Sequence, residues 1–147
     1  MNVREILRRK ASSVITITPA TSLGTAAGLF LEHRIGGVPV VSEEGELMGF
    51  LAEREFVTAV DRTNASIRRR AVDAFMQKPA PTCSAEDSLP EVMTRMTKQR
   101  LRHLVVLDEG RMTGVISVGD IVKFRLEELE TETGVLRDYI AGQRALM

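Results

Sequence analysis

The feature that most constrains this chain is an internal duplication. Residues 14–41 align with 80–107 at an offset of 66, as Leu23 does with Leu89, and residues 45–60 align with 110–125 at an offset of 65. The first copy carries one extra residue at its turn. Identical pairs are sparse: Thr16/Thr82, Ser22/Ser88, Leu23/Leu89, Arg34/Arg100, Val40/Val106, Gly45/Gly110, Gly49/Gly114 and Val57/Val122. Apolar character repeats far better. Leu23, Ala26, Ala27, Phe30, Ile35, Val38, Val40, Val41, Leu47, Phe50, Leu51, Phe56 and Val57 each meet an apolar partner. A burial pattern kept without identity is the trace an old duplication leaves.

The order of signals is the same in both copies. A short β-prone run, Val14–Ile17 or Pro81–Ser84, is followed by a serine and a helix with apolar residues at helical spacing. A dense apolar run, Val38–Val41 or Leu104–Leu107, leads through an acidic glycine turn into a second run, Leu47–Leu51 or Met112–Ser117, and then another helix. The expected fold class is α+β: two β-α-β-β-α repeats related by a pseudo-two-fold axis. One such unit cannot cover both faces of its small sheet, so the two should pack together and leave two related clefts. Residues 1–62 are read as the first copy, 63–130 as the second and 131–147 as a C-terminal helical tail. Asp61–Ala71 is read as the linker and the start of a connecting helix. Its Arg68-Arg69-Arg70 is either a solvated helical face or a phosphate or partner patch.

Charge and cysteine content narrow the function classes. Lys plus Arg and Asp plus Glu number 20 each, so the formal charge is zero and no basic excess points to nucleic acid. Cys83 is the lone cysteine, which excludes an internal disulfide and favours the cytoplasm. No apolar stretch is long enough to span a membrane, and the start, MNVREILRRK, is not a signal peptide. With two histidines and one cysteine, neither a nucleophile–base pair nor a metal set can be assembled, so no enzyme activity and no metal are expected.

The duplicated pattern resembles a tandem pair of CBS (cystathionine β-synthase) domains, a Bateman module of the stand-alone bacterial type. The residues that carry it are Arg34-Ile35-Gly36-Gly37-Val38-Pro39-Val40-Val41, Arg100–Asp108, and Gly114-Val115-Ile116-Ser117-Val118-Gly119-Asp120-Ile121. The last is similar to the family's ribose-phosphate signature. The resemblance implies a regulatory module that binds an adenosine-containing molecule and reports it to a separate protein. AMP comes first among the candidates, with ADP, ATP and NAD also admitted. It implies a homodimer too. The alternative is a dimerisation or interaction scaffold whose clefts are vestigial.

The implied site comprises Asp120, Ser117, Val115, Arg102, His103, Gly36, Gly37, Val14 and Ile15. A carboxylate can accept from both hydroxyls of a ribose, which suits Asp120. A hydroxyl at a helix N-terminus sits among free N–H groups that favour an anion, which suits Ser117 for the phosphate. Ser-x-x-Asp is equally the pattern of a helix capping box with no ligand. Arg102 and His103 are read either as phosphate contacts or as surface groups. Val14 and Ile15 either face the base or belong to the core, and Gly36-Gly37 permit close backbone approach. The second cleft should be weaker: Ala52 replaces the serine and Glu55 the aspartate, with Thr82 and Cys83 lining it from the other copy. Cys83 is also read as a packed small side chain.

Beyond Asp120, Val122, Leu129 and Leu136 recur every seven residues, as do Leu126, Thr133 and Ile140. This stripe, expected to break at Gly134, either packs on its own domain or forms a dimer contact.

Overall fold

The computed structural model describes residues 1–10, 13–63 and 66–146, apart from the side chains at 135, 136, 138 and 143–146. Its helices are α1 (Val3–Lys10), α2 (Leu23–His33), α3 (Glu53–Arg62), α4 (Leu89–Gln99) and α5 (Val118–Leu146). Its strands are β1 (Gly37–Val41), β2 (Leu47–Ala52), β3 (Thr82–Ser84), β4 (His103–Asp108) and β5 (Arg111–Ser117). The order is the duplicated α+β pattern expected from the sequence.

Four of the eight identical pairs, Ser22/Ser88, Arg34/Arg100, Gly45/Gly110 and Gly49/Gly114, stand where backbone geometry or close approach is demanding. Ser22 and Ser88 cap α2 and α4, their hydroxyls accepting from the N–H groups of Thr25 and Glu91. Arg34 and Arg100 end those helices in the left-handed conformation, each with φ 53°. Gly45 and Gly110 turn the two hairpins at φ 86° and 77°, where a side chain would be strained.

The copies differ at their first strand. In the second, β3 pairs in parallel with β4, and the Val105 N–H donates to the Pro81 carbonyl at 2.8 Å. The matching residue in the first copy is Pro39, which has no N–H to give. Val14–Ile17 therefore does not form the expected strand; only Ile17 bridges to Val40. Val14 and Ile15 are left without a ladder.

The sequence reading also misplaces the N-terminus. Residues 1–10 stand at the head of the first copy in sequence, yet Val3 and Ile6 lie in the core of the second, with Leu89, Val92, Leu104 and Phe124. Arg4 reinforces the docking through a 2.6 Å contact with Asp108, whose carboxyl is held below its ordinary range by that hydrogen bond. The exchange is reciprocal. Val72 and Met76, at the head of the second copy in sequence, are buried in the core of the first, among Leu23, Val38, Val40 and Leu51. The backbone bonds match as well: Val3 and Arg4 donate to Asp87 and Ala85, while Val72 and Asp73 donate to Thr21 and Pro19. Each glycine of the Gly49/Gly114 pair admits the crossing segment. A side chain at Gly49 would meet the Gln77 carbonyl at 2.7 Å, and one at Gly114 would meet Leu7 at 2.7 Å.

This crossing overturns the expected connecting helix. Leu23 donates to the Arg70 carbonyl and Ala71 bridges to Ser22, so the chain is pinned nearly extended there. Two short 3-10 turns, Ile67–Arg69 and Val72–Ala74, take the helix's place. Helix α5, by contrast, runs through Gly134 unbroken. A helical glycine costs only about 1 kcal/mol, less than a break would sacrifice. Ile121 and Phe124 anchor its start in the core, whereas Val122, Leu126 and Leu129 stay exposed. Leu136 lies outside the described side chains.

Candidate functional site

The β4–β5 hairpin sets His103 directly opposite Ser117, and the chain turns into α5 at the next residue. At this helix start the Asp120 N–H donates to Ser117 Oγ at 3.1 Å, and the Ser117 N–H donates to Asp120 Oδ2 at 2.9 Å. The reciprocal pair is a capping box. Asp120 is nevertheless not consumed by it. Its side chain is 22% exposed and lines an open cleft of about 550 Å³. That volume lies within the range of small-molecule sites.

The cleft brings together Val14, Ile15, Gly36, Gly37, His103, Val115, Ser117 and Asp120 from four separate parts of the chain. Arg102 does not line it. It faces instead the pseudo-symmetric second cleft, an open space of about 750 Å³ bounded also by Phe50, Ala52, Pro81, Arg100 and Leu101, the counterparts of Val115, Ser117, Ile15, Arg34 and Ile35. Gly36, His103 and Ser117 line both spaces and so form a shared wall.

Lys10 is the site residue the sequence reading missed. Its ammonium donates to Asp120 Oδ2 and to the Val115 carbonyl, both at 2.9 Å. Only the crossing of α1 onto β5 brings residue 10 within reach of residue 120. A basic residue ending an N-terminal helix was the sole signal, and it named no partner.

His103 stands between the copies. Its ring centroid is 5.5 Å from that of Phe50, and a side chain on Gly37 would come within 3.3 Å of it. Gly37 is therefore a close-approach glycine. Burial, then the nearby Lys10, lowers the His103 pKa from its ordinary value and so favours the neutral ring. Its Nδ1 is buried with no hydrogen-bond partner among the described residues. A buried polar atom in that condition costs roughly 1–3 kcal/mol until something bonds to it.

The second cleft departs from the sequence reading. Glu55 is 6% exposed, and its carboxylate accepts from the Ala52 N–H at 2.8 Å. It lines neither of the two cavities. Residues Phe50 and Gln77 exchange backbone hydrogen bonds of 3.0 and 2.7 Å, and the buried Phe50 ring takes the place that Val115 holds on the other side. Cys83 lies in the core of the second copy rather than on a cleft wall, and burial pushes its thiol up to about 11. The Thr82 carbonyl accepts from Arg95 at 2.6 Å, a contact within the second copy. Among the described residues, no cluster of three His, Cys, Asp or Glu could hold a metal ion, and no helix is long and apolar enough to cross a membrane.

A family model described as the CBS domain matches residues 3–62 and 72–127. The solved structure of a CBS-domain-containing protein from Agrobacterium tumefaciens is 37% identical, with TM-score 0.81, covering 85% of this chain and 99% of that one. An uncharacterised protein of Methanocaldococcus jannaschii is 28% identical over 122 residues, 82% of this chain. The match spans only 41% of that relative's length. A CBS domain pair solved in complex with 5′-methylthioadenosine and S-adenosyl-L-methionine has the same fold: TM-score 0.75, 22% identity, 87% of this chain and 98% of the other.

Proposed function

This chain belongs to the CBS domain family, and on that premise we propose that it is a regulatory module taking one adenine nucleotide in the cleft beside Asp120. The observation that carries the proposal is an open cleft in which a carboxylate, a hydroxyl at a helix start and an ammonium group converge beside apolar walls. The base lies against Val14, Ile15 and Val115, and the Asp120 carboxylate accepts from the ribose diol. For this, Asp120 exchanges Lys10 for the sugar, and the released ammonium turns to the phosphate. The phosphate settles at the start of α5, near Ser117 and His103. Lys10 is thus the latch between empty and filled states. Binding occurs without turnover, and the signal passes to a separate cytoplasmic protein.

The test is a melting-temperature panel with AMP, ADP, ATP, NAD and S-adenosylmethionine. A nucleotide present at about 100 times its dissociation constant stabilises the fold by roughly 2.7 kcal/mol, a rise of several degrees. If none of them moves the melting point at millimolar concentration, the vestigial-scaffold reading replaces this one. Nucleotide turnover that tracks with the pure protein would restore an enzyme.

The homodimer belongs to the same proposal. Val57 and Val122, an identical pair of the duplication, are 69% and 51% exposed, and Leu126 and Leu129 continue the exposed apolar face along α5. A second copy covering this face is the expected occupant. Sedimentation should give a dimer at micromolar concentration and a monomer for Val122→Glu/Leu126→Glu. A wild-type monomer would end that part of the proposal.

A further inference from the structure

We infer that the projecting part of α5 forms a parallel, in-register two-stranded coiled coil with a second copy of this chain. The inference rests on the homodimer reading above and extends it to an orientation and to named pairs across the axis. Helix α5 is 29 residues long, roughly 43 Å at 1.5 Å per residue. Ile121 and Phe124 hold its first turns in the second copy's core. Over residues 129–142 the described side chains are exposed. A helix of that length on its own is marginal in water, the more so with Gly134 and Gly142 inside it. It needs a partner.

Spacing and charge identify that partner. Val122, Leu126, Leu129, Thr133, Leu136 and Ile140 recur at alternating steps of four and three, the seam of a two-stranded coil. Val122, Leu126, Leu129 and Ile140 are 51%, 54%, 57% and 42% exposed, so an apolar face is open along the length of the seam. Gly134 and Gly142 fall off it. Arg125 and Glu132 flank the seam on one side, Glu130 and Arg137 on the other. In a parallel coil each flanking residue of the first kind meets the position five later on the other chain. Arg125 then faces the partner's Glu130, and Glu132 faces the partner's Arg137. The two-fold axis repeats both, and no like charges meet over residues 122–140. An antiparallel pairing of the same seam centres on residue 131. It sets Glu130 and Glu132 each against its own counterpart, acid on acid. Glu130, Glu132 and Arg137 form no ion pair among the described residues. Arg125 gives up only an exposed 3.4 Å contact with Glu128. Parallel pairing also puts both α5 starts, and with them both Asp120 clefts, at the same end of the dimer.

Cysteine cross-linking of the full chain tests this against a quiet background, because Cys83 is buried. Under a glutathione redox buffer, Ile140→Cys is expected to link about half or more of the chains as a disulfide dimer, since parallel pairing brings residue 140 within disulfide reach of its counterpart. Thr131→Cys, on the outer face, should stay unlinked. Sedimentation supplies the second arm. Glu132→Arg should weaken the dimer about tenfold, and adding Arg137→Glu to the same chain should restore it. Ile140→Cys that stays unlinked while the wild type sediments as a dimer overturns the coil and leaves the homodimer standing. Failure of Arg137→Glu to rescue Glu132→Arg does the same. A wild-type monomer overturns both, and the seam then belongs to a helix of another protein.

Discussion

Ile6→Ala is expected to lower stability by about 2–5 kcal/mol, and to do so in a part of the chain some ninety residues away. Ile6 is 3% exposed and packs with Val92, Leu104 and Phe124, so truncation opens a cavity in the second copy's core. In a chain of this length that cost lowers the melting temperature by roughly 5–20 °C. Its location is the informative part. Native-state hydrogen exchange should quicken first at Leu104–Val106 in β4, while Val38–Val40 in β1 keep their protection. Val72→Ala should give the reverse pattern, because Val72 is fully buried in the first copy's core. Faster exchange confined to β1 in Ile6→Ala, or a melting point unchanged within about a degree, would show that α1 does not cross between the copies.

Asp120→Ala should weaken nucleotide binding by roughly ten- to hundredfold, the equivalent of losing one charge-assisted hydrogen bond or more. The pseudo-symmetric Glu55→Ala should change it less than about twofold. The comparison isolates the ligand's contribution, because both substitutions remove a carboxylate that accepts from a helix-start N–H. Those bonds are 2.9 Å long from Ser117 and 2.8 Å from Ala52. Each loss of a cap costs about 0.5–2 kcal/mol of stability. A fold defect would therefore appear in both variants, and a binding defect in one. Equal losses of affinity would remove Asp120 from the centre of the site. Lys10→Ala supplies the complementary reading: it removes both the competitor at Asp120 and the ammonium that meets the phosphate, so adenosine should bind more tightly to the variant while AMP loses that gain, as calorimetry would show.

The Ser117–Asp120 side of the candidate site was legible because its residues are local in sequence, whereas Val14, Ile15, Gly36 and Gly37 were named only through the family resemblance. Ser117 and Asp120 are one helical turn apart, and the hairpin that places His103 across from Ser117 is announced by an acidic turn with a glycine. The openness of the first cleft was also written in the sequence, though in a form easy to miss. Pro39 stands where Val105 stands in the other copy, and a missing N–H leaves Val14 and Ile15 unpaired. The changed lining of the second cleft was half legible. Ala52 and Glu55 announced a lost hydroxyl and a longer carboxylate. They did not announce that Glu55 would be buried as a cap, leaving Phe50 and Gln77 to line that cleft.

The duplication follows from comparing the sequence with itself, and its turns and caps follow because each depends on residues within a dozen positions of one another. Apolar periodicity, a capping serine and a turn glycine act on their own neighbourhood whatever the rest of the chain does. Which copy receives the first ten residues is a different kind of question. Either core could bury Val3 and Ile6, since hydrophobic burial carries no address. The choice is made by backbone bonds to Asp87 and Ala85 and by the space left at Gly114, all of them distant in sequence. That tertiary choice carries Lys10 to Asp120, and with it the one contact a ligand must displace.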